Sequence, residues 1–116
     1  APPHLLDEGA VRAAAAIFVG RHDFAAFAAN RGDAPPHTVR TVHEISVTRN
    51  GSLYEMTFTG EGFLYKMVRM LTAAIVRAGQ GRTTLEDLRH RLATGGPKWN
   101  HVAPAEGLTL VAVRYE

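Results

Sequence analysis

The stretch GEGFLYKMVRMLTAAIVRAGQGR, residues 60 to 82, decides how this chain folds. Its first residues close a run of alternating side chains, and the remainder repeats apolar residues at helical spacing. Laid out at about 100° per residue, Leu64, Met67, Val68, Leu71, Ala74, Ile75 and Ala78 share one face, the pattern of a helix packed on a core. Lys66 and Arg77 fall on the opposite face. Arg69 lies at the border of the stripe beside Tyr65, Thr72 and Val76, where a basic side chain can point into a cleft. Gly79-Gln80-Gly81 reads as a helix stop rather than a phosphate-binding loop.

Immediately upstream, Val39–Thr48 and Leu53–Thr59 flank Arg49-Asn50-Gly51-Ser52, and Asn-Gly between two alternating runs predicts a hairpin. With Arg49 opposite Ser52, Val47 pairs with Tyr54, Ile45 with Met56 and His43 with Phe58, all on one apolar face. Glu44, Ser46, Glu55 and Thr57 make the other face polar. Farther upstream, Asp7 is expected to cap a helix running to about Val19, with Val11, Ala14, Ala15 and Phe18 inward and Gly20 as its stop. Residues 1 to 6 are Pro-rich and read as a lead-in or a severed linker. Residues 21 to 27 read as a short turn capped by Asp23 that presents Phe24 and Phe27 to the core. Residues 30 to 37, NRGDAPPH, read as loop, because Gly, Asp and paired prolines cannot continue a helix.

Downstream, Thr83 and Glu86 predict a capping box for a second helix with Leu85, Leu88 and Leu92 inward, ended by Gly95, Gly96 and Pro97. A loop from 95 to 107 carries Trp99 and Ala103. Leu108–Tyr115, LTLVAVRY, is apolar on both faces and reads as a central strand. This order predicts one α+β domain over residues 1–116, ferredoxin-like or RRM-like, with antiparallel pairing and the helices on one sheet face. A βαβ crossover through the long helix is expected to be right-handed, which leaves the polar sheet face uncovered.

Composition sets outer bounds on function. The chain has 116 residues, enough for one real core but not two. It has no cysteine, which excludes disulfides and thiolate chemistry, and no apolar run approaches the ~20 residues that span a bilayer. A cytoplasmic protein with no membrane association is the expectation. The net charge of +2 permits a nucleic-acid partner without arguing for one. His4, His22, His37, His43, His90 and His101 show no paired ligand spacing, so no metal is expected. No Walker loop, dinucleotide fingerprint or G-x-S-x-G occurs, and the aspartates are accounted for by caps and loops. The basic residues Lys66, Arg69, Arg77, Arg82, Arg89 and Arg91 fall in the second half of the chain, as a solvated surface or as phosphate contacts.

Four motifs in order, GRHDFAAF at 20–27, VRTV at 39–42, FLYKMVR at 63–69 and APAEGLTLVAVRY at 103–115, resemble the C-terminal half of tRNA pseudouridine synthases of the TruA type. The resemblance covers nearly the whole chain. It implies two ferredoxin-like halves joined into one sheet, a tRNA-binding cleft, a homodimer, and isomerisation of uridine in the anticodon arm without cofactor or metal. It also implies that Arg69 ion-pairs with a nucleophilic aspartate, that Leu108 packs on the target base, and that Phe63, Tyr65, Lys66 and Leu110 belong to the motifs lining the same pocket. The aspartate stands in a G-R-T-D motif that these residues lack, so this chain alone is expected to be inactive and to need a missing N-terminal catalytic half. Met70 and Ala73 replace the asparagine and glycine that the family usually carries there. A stand-alone RNA-binding module and an oligomerisation module are the alternative readings.

Overall fold

The computed structural model describes residues 6–29 and 37–103, and the backbone of 111–115. The elements are α1 (Glu8–Phe18), β1 (Gly20–Asp23), a 3-10 turn (Ala25–Phe27), β2 (Val39–Asn50), β3 (Leu53–Glu61), α2 (Met67–Gly79), α3 (Leu85–Thr94) and β4 (Val111–Tyr115). The sheet order is β1-β2-β3-β4, antiparallel across the first three strands and parallel between β3 and β4. Val42, Ile45, Val47, Tyr54, Met56 and Phe58 are buried on one sheet face under the helices, whereas the alternate positions Ser46, Glu55 and Thr57 are half-buried. The result is an α+β half-domain of the ferredoxin-like kind.

Local signals explain most of these elements. Asp7 caps α1, its Oδ1 accepting from the Ala10 amide at 3.1 Å, and Val11, Ala14, Ala15 and Phe18 are buried along it. Gly79 lets α2 approach α1 closely, since a Cβ there would lie 2.6 Å from a Val11 methyl. The stop of α2 is a Schellman arrangement: Arg82 N donates to Arg77 O at 2.8 Å and Gly81 N to Ala78 O at 3.1 Å, with Gly81 at φ +74°.

Several expectations are corrected. Residues 20 to 23, expected as a helix stop at Gly20 and the start of a turn, form a strand; β1 pairs with Val39–Val42. Only four residues long, it lacked enough alternation to register as a strand. The N-cap of the 3-10 turn is Phe24 rather than Asp23, whose Oδ1 accepts from Ala25 N just ahead of it; the inward Phe24 and Phe27 are found, both rings fully buried. In the hairpin, Asn50 faces Leu53 and the turn is Gly51-Ser52, so Val47 faces Met56 and Ile45 faces Phe58, two residues from the expected register. A two-residue slip keeps every side chain on its own face, which is why alternation could not discriminate. The observed register brings Tyr54 opposite Arg49, whose guanidinium lies 5.7 Å from the ring centre.

A bulge between Val42 and Glu44 then turns His43 out of the core, where its Nε2 meets Glu61 Oε2 at 2.8 Å. The cap of α3 is Thr84, accepting from Asp87 N at 3.0 Å, not Thr83. Helix α2 begins at Met67, so Leu64 is buried from the preceding turn rather than from the helix. Finally, β4 is an end strand among the described residues, not a central one. Its two-sided apolar sequence would suit burial by further structure, but among the described residues it pairs with β3 alone.

Candidate functional site

Helix α2 is buried nearly all round. Of its 13 residues only Arg69 and Arg77 escape burial, because Met70, Thr72, Ala73 and Val76, outside the apolar stripe, are covered as well. Part of that cover is the loop after α3. Ala103 N donates to Arg69 O at 3.1 Å, and Arg69 Nε donates back to Ala103 O at 2.8 Å. Arg69 is therefore held at the helix margin by a reciprocal backbone clasp. With Nε committed, its terminal nitrogens remain for a bidentate acceptor, and the ion pairs among the described residues do not include it.

The approach to α2 makes a cleft. Gly62 takes φ +63°, its carbonyl accepts from Arg40 Nε at 2.6 Å, and the chain turns into Phe63. Lys66 adopts a left-handed conformation at φ 61°, the one non-glycine positive φ among the described residues, so the chain changes direction one residue before the helix. Tyr65 O accepts from Ala29 N at 3.0 Å, which ties this turn to the segment after the 3-10 turn. A cavity of about 420 Å³ results, lined by Phe63 through Arg69. Phe63 and the 43% exposed Tyr65 provide aromatic walls, and Lys66 Nζ lies 5.5 Å from the Tyr65 ring centre. Leu64, Met67 and Val68 are its buried apolar members. Two cations and the positive end of α2 give this cleft an anionic preference.

The structure thus brings Phe63, Tyr65, Lys66 and Arg69 into one cleft. Leu108 and Leu110 lie outside the described residues. Among the other basic candidates, Arg91 is corrected from a surface cation to a structural fastener. Its Nε donates to Asp87 Oδ2 at 2.9 Å, its Nη1 to Pro97 O at 3.0 Å and Lys98 O at 3.2 Å, and its guanidinium stacks 5.4 Å from the Trp99 ring centre. Arg89 lines a separate groove of about 470 Å³ with His22 and Asp23. Arg82 is exposed beyond the end of α2. Among the described residues no three His, Cys, Asp or Glu side chains gather as a metal site, and no helix is long and apolar enough to cross a membrane.

Sequence reasoning missed three contributors: Arg40, which braces the turn into the cleft, Ala103, which makes the clasp, and Trp99, which anchors the loop that leads to it. Trp99 is 3% exposed, its amide donates to Ala26 O at 2.9 Å, and its ring lies 6.0 Å from Phe27. A lone Trp in a loop with no other apolar residue next to it was a signal of burial that could have been read.

Fold and cleft together define an α+β half-domain with a clasped arginine on the lining of a cationic, aromatic-walled pocket. Residues 14–116 match the model of the tRNA pseudouridine synthase family, and the chain belongs to that family. It is 42% identical over 109 residues to tRNA pseudouridine synthase A of Pyrobaculum arsenaticum, covering 94% of this chain and 42% of that protein. It is 45% identical over 113 residues to the enzyme of the same name from Solidesulfovibrio magneticus, covering 95% and 41%, and 40% identical to that of Citrifermentans bemidjiense over 96% and 45%. The chain spans less than half the length of these relatives.

Proposed function

We propose that this chain is the C-terminal half of a cytoplasmic, homodimeric tRNA pseudouridine synthase that converts uridine to pseudouridine in the anticodon arm. The observation that supports the reading is Arg69, clasped through Nε to Ala103 O, on the lining of a cleft, and in no ion pair among the described residues. An aspartate supplied by an N-terminal half would be its acceptor. Opposite charges about 4 Å apart attract by roughly 4 kcal/mol at an effective dielectric of 20, which holds such an aspartate ionised and nucleophilic. The reaction balances as an isomerisation: the C1′–N1 bond breaks, the uracil turns, a C1′–C5 bond forms, and the proton on C5 is lost while N1 gains one. Phe63 and Tyr65 offer the apolar walls in which a flipped base can turn, the family resemblance assigns Leu108 and Leu110 to the same base, and Lys66 offers a phosphate contact. No step requires a cofactor or metal.

The test joins the chain to a Gly-Arg-Thr-Asp-bearing N-terminal half and measures tritium release from tRNA carrying 5-tritiated uridine. The joined protein should release tritium, the chain alone should not, and Arg69→Ala should lower the rate by two orders of magnitude or more. Activity of the isolated chain, or an Arg69→Ala rate within threefold of the parent, would sink the proposal. Salt-sensitive RNA binding with no tritium release from the joined protein would favour a binding module instead.

A further inference from the structure

We propose that Arg91, which lies outside the lining of the cleft, is a positioning residue for the reaction at Arg69 and sets the plane of its guanidinium through the loop from Pro97 to Ala103. The inference rests on the catalytic reading of Arg69 above and extends it to the segment that carries the clasp. At the far end of that loop Arg69 Nε donates to Ala103 O at 2.8 Å, and Ala103 N donates to Arg69 O at 3.1 Å. A guanidinium is planar, so a bond at Nε fixes the plane in which its terminal nitrogens meet an acceptor. The position of Ala103 therefore decides the geometry open to a carboxylate paired with Arg69.

Arg91 holds the near end of the loop. Its Nε donates to Asp87 Oδ2 at 2.9 Å, its Nη1 donates to Pro97 O at 3.0 Å and Lys98 O at 3.2 Å, and its guanidinium lies 5.4 Å from the Trp99 ring centre. Asp87 Oδ2 also accepts from Thr83 Oγ1 at 3.2 Å, so the base of this fastener is tied to the start of α3. Trp99 passes the restraint on: its amide donates to Ala26 O at 2.9 Å and its ring lies 6.0 Å from Phe27. Three residues after Ala26, Ala29 N donates to Tyr65 O at 3.0 Å, so one short segment braces both the clasp loop and the aromatic wall of the cleft. Helix α3 does not need the Arg91 side chain as a stop. Gly95 ends it at φ +78°, its N–H donating to Arg91 O at 2.9 Å, and Thr94 Oγ1 lies 2.8 Å from His90 O and 2.7 Å from Gly96 O. What the side chain adds is a hold on the loop. With Trp99 fastened, four residues lead to Ala103; released, nine lead there from Thr94, the end of α3. Chain freedom alone then lowers the local concentration of the Ala103 carbonyl at Arg69 by about threefold.

The experiment uses the chain joined to its catalytic half, assayed by tritium release well below the melting temperature of every variant. Arg91→Met should lower kcat about 3- to 10-fold with KM within about twofold of the parent, because the clasp acts at the reacting carboxylate and not on RNA binding. Arg91→Lys keeps the charge without the planar fork and should recover part of the loss. In an Arg69→Lys background, where no Nε clasp forms, Arg91→Met should change kcat by less than about 1.5-fold. Arg12→Met is the control for stability: it removes a comparable fastening, to Val47 O at 2.8 Å and Glu8 Oε2 at 2.9 Å, and should lower the melting temperature while leaving kcat unchanged. In parallel, exchange of the Arg69 Nε–H proton is followed by nuclear magnetic resonance, and Arg91→Met should speed it by about threefold or more. An Arg91→Met kcat within about 1.5-fold of the parent, or an equal loss in the parent and Arg69→Lys backgrounds, would overturn the positioning role. Faster Nε–H exchange in Arg91→Met, in a joined protein that releases no tritium, refutes the catalytic reading and keeps Arg91 as the residue that positions Arg69. A rate lost in Arg69→Ala but kept in Arg91→Met does the reverse.

Discussion

Gly60 offers the sharpest test of how the sheet shapes the cleft. It faces Val42 beside the bulge in β2, and a Cβ built on it would lie 2.6 Å from the Thr41 carbonyl oxygen and 3.0 and 3.1 Å from two ring carbons of Phe63. Packed carbon atoms settle at roughly 3.5 to 4.0 Å, so Gly60→Ala forces both neighbours away. The ring can swing, at the expense of the cleft wall it forms. The carbonyl is part of the β2 backbone and cannot move without disturbing the ladder. Overpacking of this kind costs about 1–3 kcal/mol, and a backbone obstacle puts Gly60→Ala in the upper half of that range. Restricting the unfolded chain at a strand glycine returns about 0.5–1 kcal/mol. The net expectation is a loss of about 1–2 kcal/mol, or a melting temperature lower by about 4–8 °C for each kcal/mol, read by circular dichroism at fixed pH and concentration. Phe63→Ala made in the same background should relieve only the ring part, so the two changes should be non-additive. A Gly60→Ala protein that melts at or above the parent would refute the close-approach account and leave Gly60 as a merely flexible residue.

Other predictions concern the fasteners around the site. Arg91→Met removes the Asp87 pair, two carbonyl bonds and the stacking on Trp99; it should cost about 1–3 kcal/mol in urea unfolding and speed amide exchange at Ala103, while Arg91→Lys restores less than half because it lacks the planar fork. Lys66→Gly should be neutral to stabilising by up to about 1 kcal/mol, and Lys66→Val should destabilise by about 1–2 kcal/mol, since only the first relieves a left-handed backbone; equal melting temperatures for the two would remove that argument. Glu8 is held below the ordinary carboxylate range first by its bonds from Arg12 and Arg49. Its contribution is therefore present above the ordinary carboxylate pKa and lost as pH falls through the depressed folded value, so Glu8→Gln should flatten the acid limb of the stability curve, more visibly at low salt.

Much of this molecule was legible in its residues because the signals are local or periodic. The apolar stripe of α2, the Asp7 cap, the hairpin and the inward Leu88 and Leu92 follow from spacing and turn chemistry alone. What spacing could not decide were the quantities that need a partner from elsewhere in the chain. Two hairpin registers keep the same faces, and only Arg49, Tyr54 and the bulge at His43 choose between them. Arg91 and Arg77 look alike in sequence, yet one is consumed by Asp87, Trp99 and two carbonyls while the other enters no ion pair among the described residues, because the fold brings residues 97–99 against α3. Arg69 combines both kinds of information. Its place on the helix border is a matter of counting residues, whereas the direction of its fork depends on Ala103, 34 residues away, and hence on a tertiary hydrogen bond that no local pattern encodes.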